Sequence, residues 1–331
     1  MLNAAVVGLG WWGRHICGAL RGSELIRVVH GVDPATEAAA PFARDHGFPL
    51  SADLSAALAD DKVEAVLLAT PHSQHENQIV QAAEAGRHVF CEKPLCLTRA
   101  GAERAVAACA AAGVILSVGH ERRFEPPIVE LKRLVNSGEL GTPLLVEANY
   151  GHNMLAAVDP GHWRASAAES PGAGLTGIGS HVIDIFTDVF GPVKEVRALS
   201  ARRITQRAGG DVLTVQFGFA SGAFGTLNNV SASPFYGRLT AFGSRAWAES
   251  RARAHMQAGG ATELVLWPDG GEPTTREWGP VDTVRANLEA FAAAALGRAT
   301  NPYEAGQAVH AVAVLEAIIR SIGSGVAEPV G

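Results

Sequence analysis

Gly8, Gly10 and Gly13 close the apolar run Ala5-Val-Val, and further along the chain comes Glu92-Lys93-Pro94. A strand that ends in such glycines turns tightly at Gly8. It lets a pyrophosphate approach the backbone at Gly10, and it lets the next helix pack closely on the sheet at Gly13. The first N–H groups of that helix then face the phosphates. Residues 14–21 read as the helix, and the apolar run 25–32 ends in Asp33, where a carboxylate accepts both ribose hydroxyls of an adenosine. Asp33 would repel a 2′-phosphate, and Pro34-Ala35 offers no arginine to receive one, so the pattern predicts NAD in preference to NADP. The glycine loop and Glu92-Lys93-Pro94 together point to redox chemistry.

These groups need a scaffold, and the first part of the chain alternates strand and helix as a doubly wound sheet does. An apolar strand over 63–69 runs into Thr70-Pro71. A helix over 74–85 stops at Gly86, and the strand 88–91 carries Glu92, Lys93 and Pro94 at its carboxyl end. A helix over 99–112 and a strand over 114–118 lead to Gly119-His120. Ligands of open parallel sheets bind beyond the carboxyl ends of the strands, where the glycine loop, Asp33, Thr70, Pro71, Lys93 and His120 all fall.

After residue 121 the pattern changes. A helix over 127–137 precedes strands at 143–150, 194–200, 211–219, 223–230, 238–243 and 263–267, joined by glycine-rich turns. The expected fold class is α/β: an N-terminal Rossmann domain, 1–121, with a doubly wound parallel sheet, then an α/β domain, 122–331, with a large, mostly antiparallel open sheet. The second domain is expected to bind substrate and to oligomerise, its last helix packing back on the first. Helices over 178–190, 282–297 and 304–323 are expected to cover one face of the open sheet. The other face is left for a partner, which predicts a homo-oligomer, dimer or tetramer.

The 331 residues suffice for two domains, and 47% hydrophobic with 18% charged residues is a globular composition. No apolar stretch reads as the ~20 residues that span a bilayer, and the first residues lack a basic signal-peptide region, so a cytoplasmic location is expected. A net charge of −6 argues against nucleic acid or an anionic membrane as partner. Arg202, Arg203 and Arg207 form a local cluster, read as a solvated edge or an anion site. Cys17, Cys91, Cys96 and Cys109 lack paired C-x-x-C spacing and read as buried thiols. The sequon Asn229-Val-Ser231 reads as chance in a chain with no secretory signal.

The chain resembles the Gfo/Idh/MocA oxidoreductases, the family of glucose-fructose oxidoreductase and inositol dehydrogenase, over nearly its whole length. The resemblance rests on Gly8-Leu-Gly-Trp-Trp-Gly13, Ala69-Thr-Pro-His-Ser-Gln-His75, Gly86-Arg-His-Val-Phe-Cys-Glu-Lys-Pro-Leu95, Gly119-His-Glu-Arg-Arg-Phe124, Trp163-Arg164 and Gly179-Ser-His-Val-Ile-Asp184. It implies a tightly held nicotinamide cofactor and a small polyhydroxylated substrate such as a sugar or cyclitol. The family's catalytic lysine maps onto Lys93, which would accept and return the hydroxyl proton of an alcohol that loses hydride. His181 matches the second catalytic position. Asp184, three residues on and on the same helix face, would orient it or bind a substrate hydroxyl.

By the same resemblance, Trp11, Trp12, Thr70, Pro71, His72, His75 and Glu92 join Gly8, Gly10, Gly13, Asp33 and Lys93 around the cofactor. His120, Arg123, Trp163 and Arg164 line the substrate cleft, an indole suiting a sugar face and an arginine its oxygens. Arg123 reads equally well as a partner in an ion pair between the domains. No metal is expected, although His152, Asp159 and His162 lie near one another in sequence. The chain departs from the family at Gly177, where many members carry an aspartate four residues before the histidine. Lys93 and His181 must then suffice, or His120, Glu121 or Asp159 must stand in. The departure keeps two alternatives to a dehydrogenase open: a non-catalytic dinucleotide-binding regulator, and a redox-neutral sugar lyase or glycosidase that returns its hydride.

Overall fold

The structure is a computed structural model, and it describes residues 1–153, 158–159, 161–205, 209–252 and 260–331. Arg207 of the arginine cluster lies outside the described residues, while Arg202 and Arg203 are exposed. The chain divides into two compact units, Met1–Glu121 with Asp282–Val312, and Arg122–Val281 with Ala313–Gly331.

The first unit runs β1 (Leu2–Val7), α1 (Trp11–Ala19), β2 (Ile26–Val32), α2 (Thr36–His46), β3 (Leu50–Ser51), α3 (Leu54–Leu58), β4 (Ala65–Leu68), α4 (His75–Glu84), β5 (His88–Cys91), α5 (Arg99–Ala112) and β6 (Leu116–Val118). All strand pairs are parallel, in the order β3-β2-β1-β4-β5-β6. Strand residues alternate between two cores, because successive side chains point to opposite faces. Ala5, Val7, Val66, Leu68, Val89 and Val118 pack with Ile79 of α4 and Ala102 and Ala105 of α5. Leu2, Ala4, Val6, Leu67 and Phe90 pack with Ile16 of α1 and Ala39 and Ala43 of α2. Both faces are covered, as a parallel sheet requires.

The second unit holds α6 (Pro126–Asn136), β7 (Pro143–Gly151), α7 (Ser180–Phe190), β8 (Val193–Ala201), β9 (Val212–Phe219), β10 (Phe224–Val230), β11 (Tyr236–Gly243), β12 (Ala246–Ala252), β13 (Thr262–Pro268) and β14 (Thr274–Trp278). With β15 (Glu328–Pro329) these strands form one sheet, β14-β13-β12-β11-β7-β10-β9-β8-β15, antiparallel except for β7 against β10. Phe186 of α7 meets Phe217 and Phe219 edge-on at 5.3 and 6.0 Å, fixing the inward face. The outward face carries a polar row in continuous register, Thr214, Asn228, Asn149, Arg238, Arg251, Glu263 and Glu277. Thr214 donates to Asn228 at 3.0 Å and Asn228 to Asn149 at 2.9 Å. Leu199, Phe224, Tyr236 and Trp267 are exposed on the same strands.

Two sequence expectations need correction. Helix α8 (Thr283–Ala295) does not cover the open sheet: Val284, Leu288, Phe291 and Ala292 complete the core that holds Leu2, Val6 and Phe90. Its apolar face fits any sheet, and the strand order, which the helix pattern does not encode, decides which one it meets. The last long helix, α9 (Ala305–Ser324), is long and apolar enough by length and composition to cross a bilayer, with a mean hydropathy of 1.3, contrary to the sequence reading. Its apolar length serves a core, and Val312 packs beside Leu68 and Ile79 in the first unit. All four cysteines are free and buried, as read from their spacing.

Candidate functional site

The glycine loop owes its shape to three contacts. Gly8 has a φ of +91°, and a Cβ there would stand 2.8 Å from the Ala69 carbonyl, while one on Gly13 would collide with the Gly8 carbonyl. At Gly10, by contrast, a Cβ would meet no atom within 4 Å. Gly10 also caps α1 without any side-chain hydrogen bond, so the first N–H groups of the helix face that open space. Asp33 accepts from Leu9 N–H at 2.8 Å and from Ala35 N–H at 2.9 Å, which ties the loop to the start of the next helix. Each carboxylate oxygen retains a second lone pair for a hydroxyl. These residues fit a dinucleotide: the open space at Gly10 would receive its phosphates, and Asp33 would hold its adenosine ribose.

The next strands bring Thr70, Lys93 and Glu121 to the same edge of the sheet. Glu92 N–H continues the ladder onto Leu68 O at 2.9 Å and Gly119 N–H onto Cys91 O at 2.8 Å, so Lys93 emerges, half-exposed, where β5 ends. Pro94 follows through a cis peptide. His75 is 0% exposed, with Nδ1 2.9 Å from Pro94 O and Nε2 3.1 Å from Thr70 O. A ring sealed in this way cannot touch a cofactor, so the contact expected of His75 is replaced by a structural one: it ties the Thr70 loop to the turn that carries Lys93. Thr70 itself donates to Gln78 Oε1 at 2.6 Å, and the buried His72 ring stands edge-on to His75 at 5.7 Å. Trp11 is 57% exposed and Trp12 half-buried, their rings 5.3 Å apart at the mouth of the glycine loop.

Glu92 turns inward and is 7% exposed. Its carboxyl group lies where a side chain on Gly119 would go, since a Cβ there would come within 2.6 Å of Oε1. Burial first, and then the negative charge of buried Glu121, push its pKa up to about 8, against the opposing pull of the Trp12 indole N–H and the Lys93 charge. The indole N–H favours the charged form without reaching hydrogen-bond geometry. The loop after β6 is held from the returning segment: Tyr303 donates to His120 O at 3.0 Å, and Asn287 donates to Val118 O at 3.1 Å. The His120 side chain is buried, which limits what it can offer a substrate. The sequence reading named Glu121 only as a stand-in carboxylate, and Asn287 and Tyr303 not at all. Only the spatial neighbourhood shows their part.

In the second unit, α7 begins after a π turn, Leu175–Gly179, and carries His181, buried in its first turn. Asp184 lies one turn further, yet its carboxylate is taken. Arg123 Nη2 reaches Oδ1 and Nε reaches Oδ2, each at 2.7 Å, in a pair with side chains 8% and 4% exposed. Arg123 also meets Asp188 at 3.2 Å, and Lys132 closes on Asp188 at 2.8 Å. Arg123 and Asp184, expected to contact substrate, meet each other within the second unit, a buried guanidinium and carboxylate pairing bidentately. At Gly177 a Cβ would meet no atom within 4 Å. Trp163 is flanked by His162, stacked at 5.6 Å, and by the Arg164 guanidinium, 4.1 Å from its ring centre. Among the described residues no group of three or more histidine, cysteine or carboxylate side chains is arranged to hold a metal.

Residues 2–120 match the family model described as "Oxidoreductase family, NAD-binding Rossmann fold", and residues 128–249 match "GFO/IDH/MocA C-terminal domain". The chain is 34% identical over 140 residues to 2,7-anhydro-N-acetylneuraminate hydratase of Mediterraneibacter gnavus, covering 42% of this chain and 37% of that protein. It is 35% identical over 148 residues to scyllo-inositol 2-dehydrogenase (NAD(+)) of Bacillus subtilis, covering 43% and 42%. The matched stretch thus spans less than half the length of either curated relative. The crystal structure of aldose-aldose oxidoreductase from Caulobacter crescentus, complexed with glycerol, superposes with a TM-score of 0.88 at 26% identity, over 99% of both chains.

Proposed function

Because the chain belongs to the Gfo/Idh/MocA oxidoreductase family, whose N-terminal model is NAD-binding, we propose that it is an NAD-dependent dehydrogenase acting on a secondary alcohol or ketone of a sugar, cyclitol or related polyol. The observation that carries this reading is Lys93 at the carboxyl end of β5, in the sheet whose β1 and β2 ends present the open glycine loop and Asp33. NAD, which the glycine loop and Asp33 would hold, would supply the acceptor for the hydride of the carbinol carbon. The hydroxyl proton goes to Lys93 Nζ, and the C–O bond becomes a carbonyl; in the reverse direction the lysine returns the proton. His181 serves as a second hydrogen-bonding or proton-donating group toward the substrate oxygen. Asp33 favours NAD over NADP by charge. The outward sheet face, with Leu199, Phe224, Tyr236 and Trp267 exposed, supports a homo-oligomer formed through it.

The test is reduced-nicotinamide absorbance with NAD or NADP and a panel of sugars, sugar acids and inositols. NADH formation that Lys93→Met abolishes is the expected result. Cofactor binding without reduction across the panel would favour a regulator. The hydratase relative supports a second reading, in which hydride is taken from the sugar and later returned to it, with an elimination in between. Sugar conversion without net NADH would select that reading.

A further inference from the structure

Three successive residues of the second unit, Gly172, Ala173 and Gly174, have left-handed backbones, with φ of +68°, +43° and +89°. Ala173 is the one residue other than glycine with a positive φ among the described residues, a conformation that strains an L side chain and persists where its surroundings hold it. The corner runs straight into the π turn. Gly174 O receives Gly177 N–H at 3.0 Å and Gly179 N–H at 3.3 Å, and His181 follows in the first turn of α7. How the Ala173–Gly174 peptide is turned therefore governs where Gly174 O points, and with it the direction in which the turn delivers α7. Ala173 N–H donates to Gly209 O, while Ala173 O accepts from Asn229 Nδ2 at 2.8 Å and from Ser231 Oγ at 3.2 Å. Asn229 and Ser231 are both 0% exposed. One lies near the end of β10 and the other just beyond it, two residues apart, so both point to the inward side of the sheet. Ser231 N–H is held in turn by Asp211 O at 2.8 Å. A Cβ on Gly174 would stand 2.6 Å from Asn229 Nδ2, so the corner and the amide are fitted to each other. The two polar residues of the sequon Asn229-Val-Ser231 thus meet on a single buried carbonyl.

We propose that Asn229 and Ser231 position His181: by fixing the Ala173 carbonyl they hold the strained corner and the π turn, and so set where α7 presents the imidazole. They act through the backbone, as positioning residues. When the two donors are removed, the peptide can rotate, because rotation relieves the left-handed Ala173. The π turn closes on Gly174 O and follows that rotation, and the start of α7 follows the turn. The part that His181 plays toward a substrate oxygen rests on the proposed dehydrogenase reading, whereas the hold on its ring does not.

The hold can be read without turnover. Nitrogen–proton correlation spectra of the full chain, with nitrogen-15 in its histidine rings, resolve the imidazoles in the absence of cofactor and substrate, and His181→Gln identifies the signal that belongs to His181. Ser231→Ala and Asn229→Ala should each shift or broaden that signal. Ser321→Ala removes another 0% exposed hydroxyl of the second unit, one that accepts Ala198 N–H at 2.9 Å, and should leave the signal in place. An unmoved signal in the alanine variants at 229 and 231 would overturn the proposal, as would an equal shift in Ser321→Ala; should one of the two fail to fold, the other decides. With a substrate in hand, Ser231→Ala should lower kcat by ~10-fold or more and leave KM for NAD unchanged. An unchanged kcat with the spectral shift intact would overturn only the link to catalysis. A parent protein that reduces no NAD across the panel would fail the dehydrogenase reading and leave the hold on the ring standing.

Discussion

Two buried charge clusters in this molecule solve the same problem in opposite ways. In the second unit, Arg123 and Lys132 face Asp184 and Asp188, two cations against two anions, each within hydrogen-bonding distance of its partner. In the first, two buried carboxyl groups, Glu92 and Glu121, act on each other as like charges, and the Glu92 pKa is pushed up by burial and by that neighbouring negative charge. A cluster of opposite charges in contact holds structure. One in which like charges meet can hold a proton that pH or a bound charge moves.

The sharpest way to break the ion-paired cluster is Asp184→Ala, which takes both 2.7 Å hydrogen bonds from a buried guanidinium and should cost ~3–5 kcal/mol in chemical denaturation. The double variant Arg123→Met/Asp184→Leu should recover much of that loss. If the single and double variants were equally unstable, the cost would lie in packing and not in charge. Lys93→Met lies beside the like-charged cluster and should leave the fold and NAD binding intact while lowering turnover by ~10²-fold or more; full turnover in this variant would remove Lys93 from the chemistry.

A smaller effect is readable without substrate. Glu92 has a folded pKa of about 8 against an ordinary 4.5, so the folded protein binds more protons than the unfolded chain between those values. Its contribution is fully present below about 4.5 and is lost as the pH rises toward about 8, at up to ~1.4 kcal/mol per pH unit. Glu125, raised by burial against the pull of Arg122, adds a slope of the same sign. Comparing Glu92→Gln with the parent in urea at several pH values isolates the first term, and identical slopes would show that Glu92 is ordinary. The smallest expected change is in that pH dependence: Glu121→Gln removes a like charge and should shift the loss to lower pH. An unshifted pH dependence would erase the contrast between the clusters.

What the sequence made legible was local. The glycine loop, Asp33 and the position of Lys93 at a strand end follow from turns and apolar runs spanning a few residues. Helix α2 was not anticipated, because Pro41 inside it reads as a breaker. Strands β12 and β14 went unread because Ala-Trp-Ala-Glu-Ser-Arg-Ala and Thr-Thr-Arg-Glu-Trp mix polar residues into their alternation, and β14 is largely exposed. The Arg123–Asp184 pair joins residues 61 apart in sequence, and nothing in their surroundings announces which charge meets which. Helix α8 was recognised as a helix and given to the wrong sheet.

That helix bears on how the protein is made. The first unit is assembled from Met1–Glu121 and Asp282–Val312, and Leu288 and Phe291 of the later segment close the core around Leu2, Val6 and Phe90. A chain emerging from the ribosome presents the six strands of the parallel sheet long before that cover exists. Until residues 283–295 arrive, the α8 side of the sheet is a waiting apolar surface, the kind that invites premature association or chaperone capture. A fragment ending at residue 121 should therefore be poorly soluble, and the nascent protein depends on translation continuing to its second visit to the first unit.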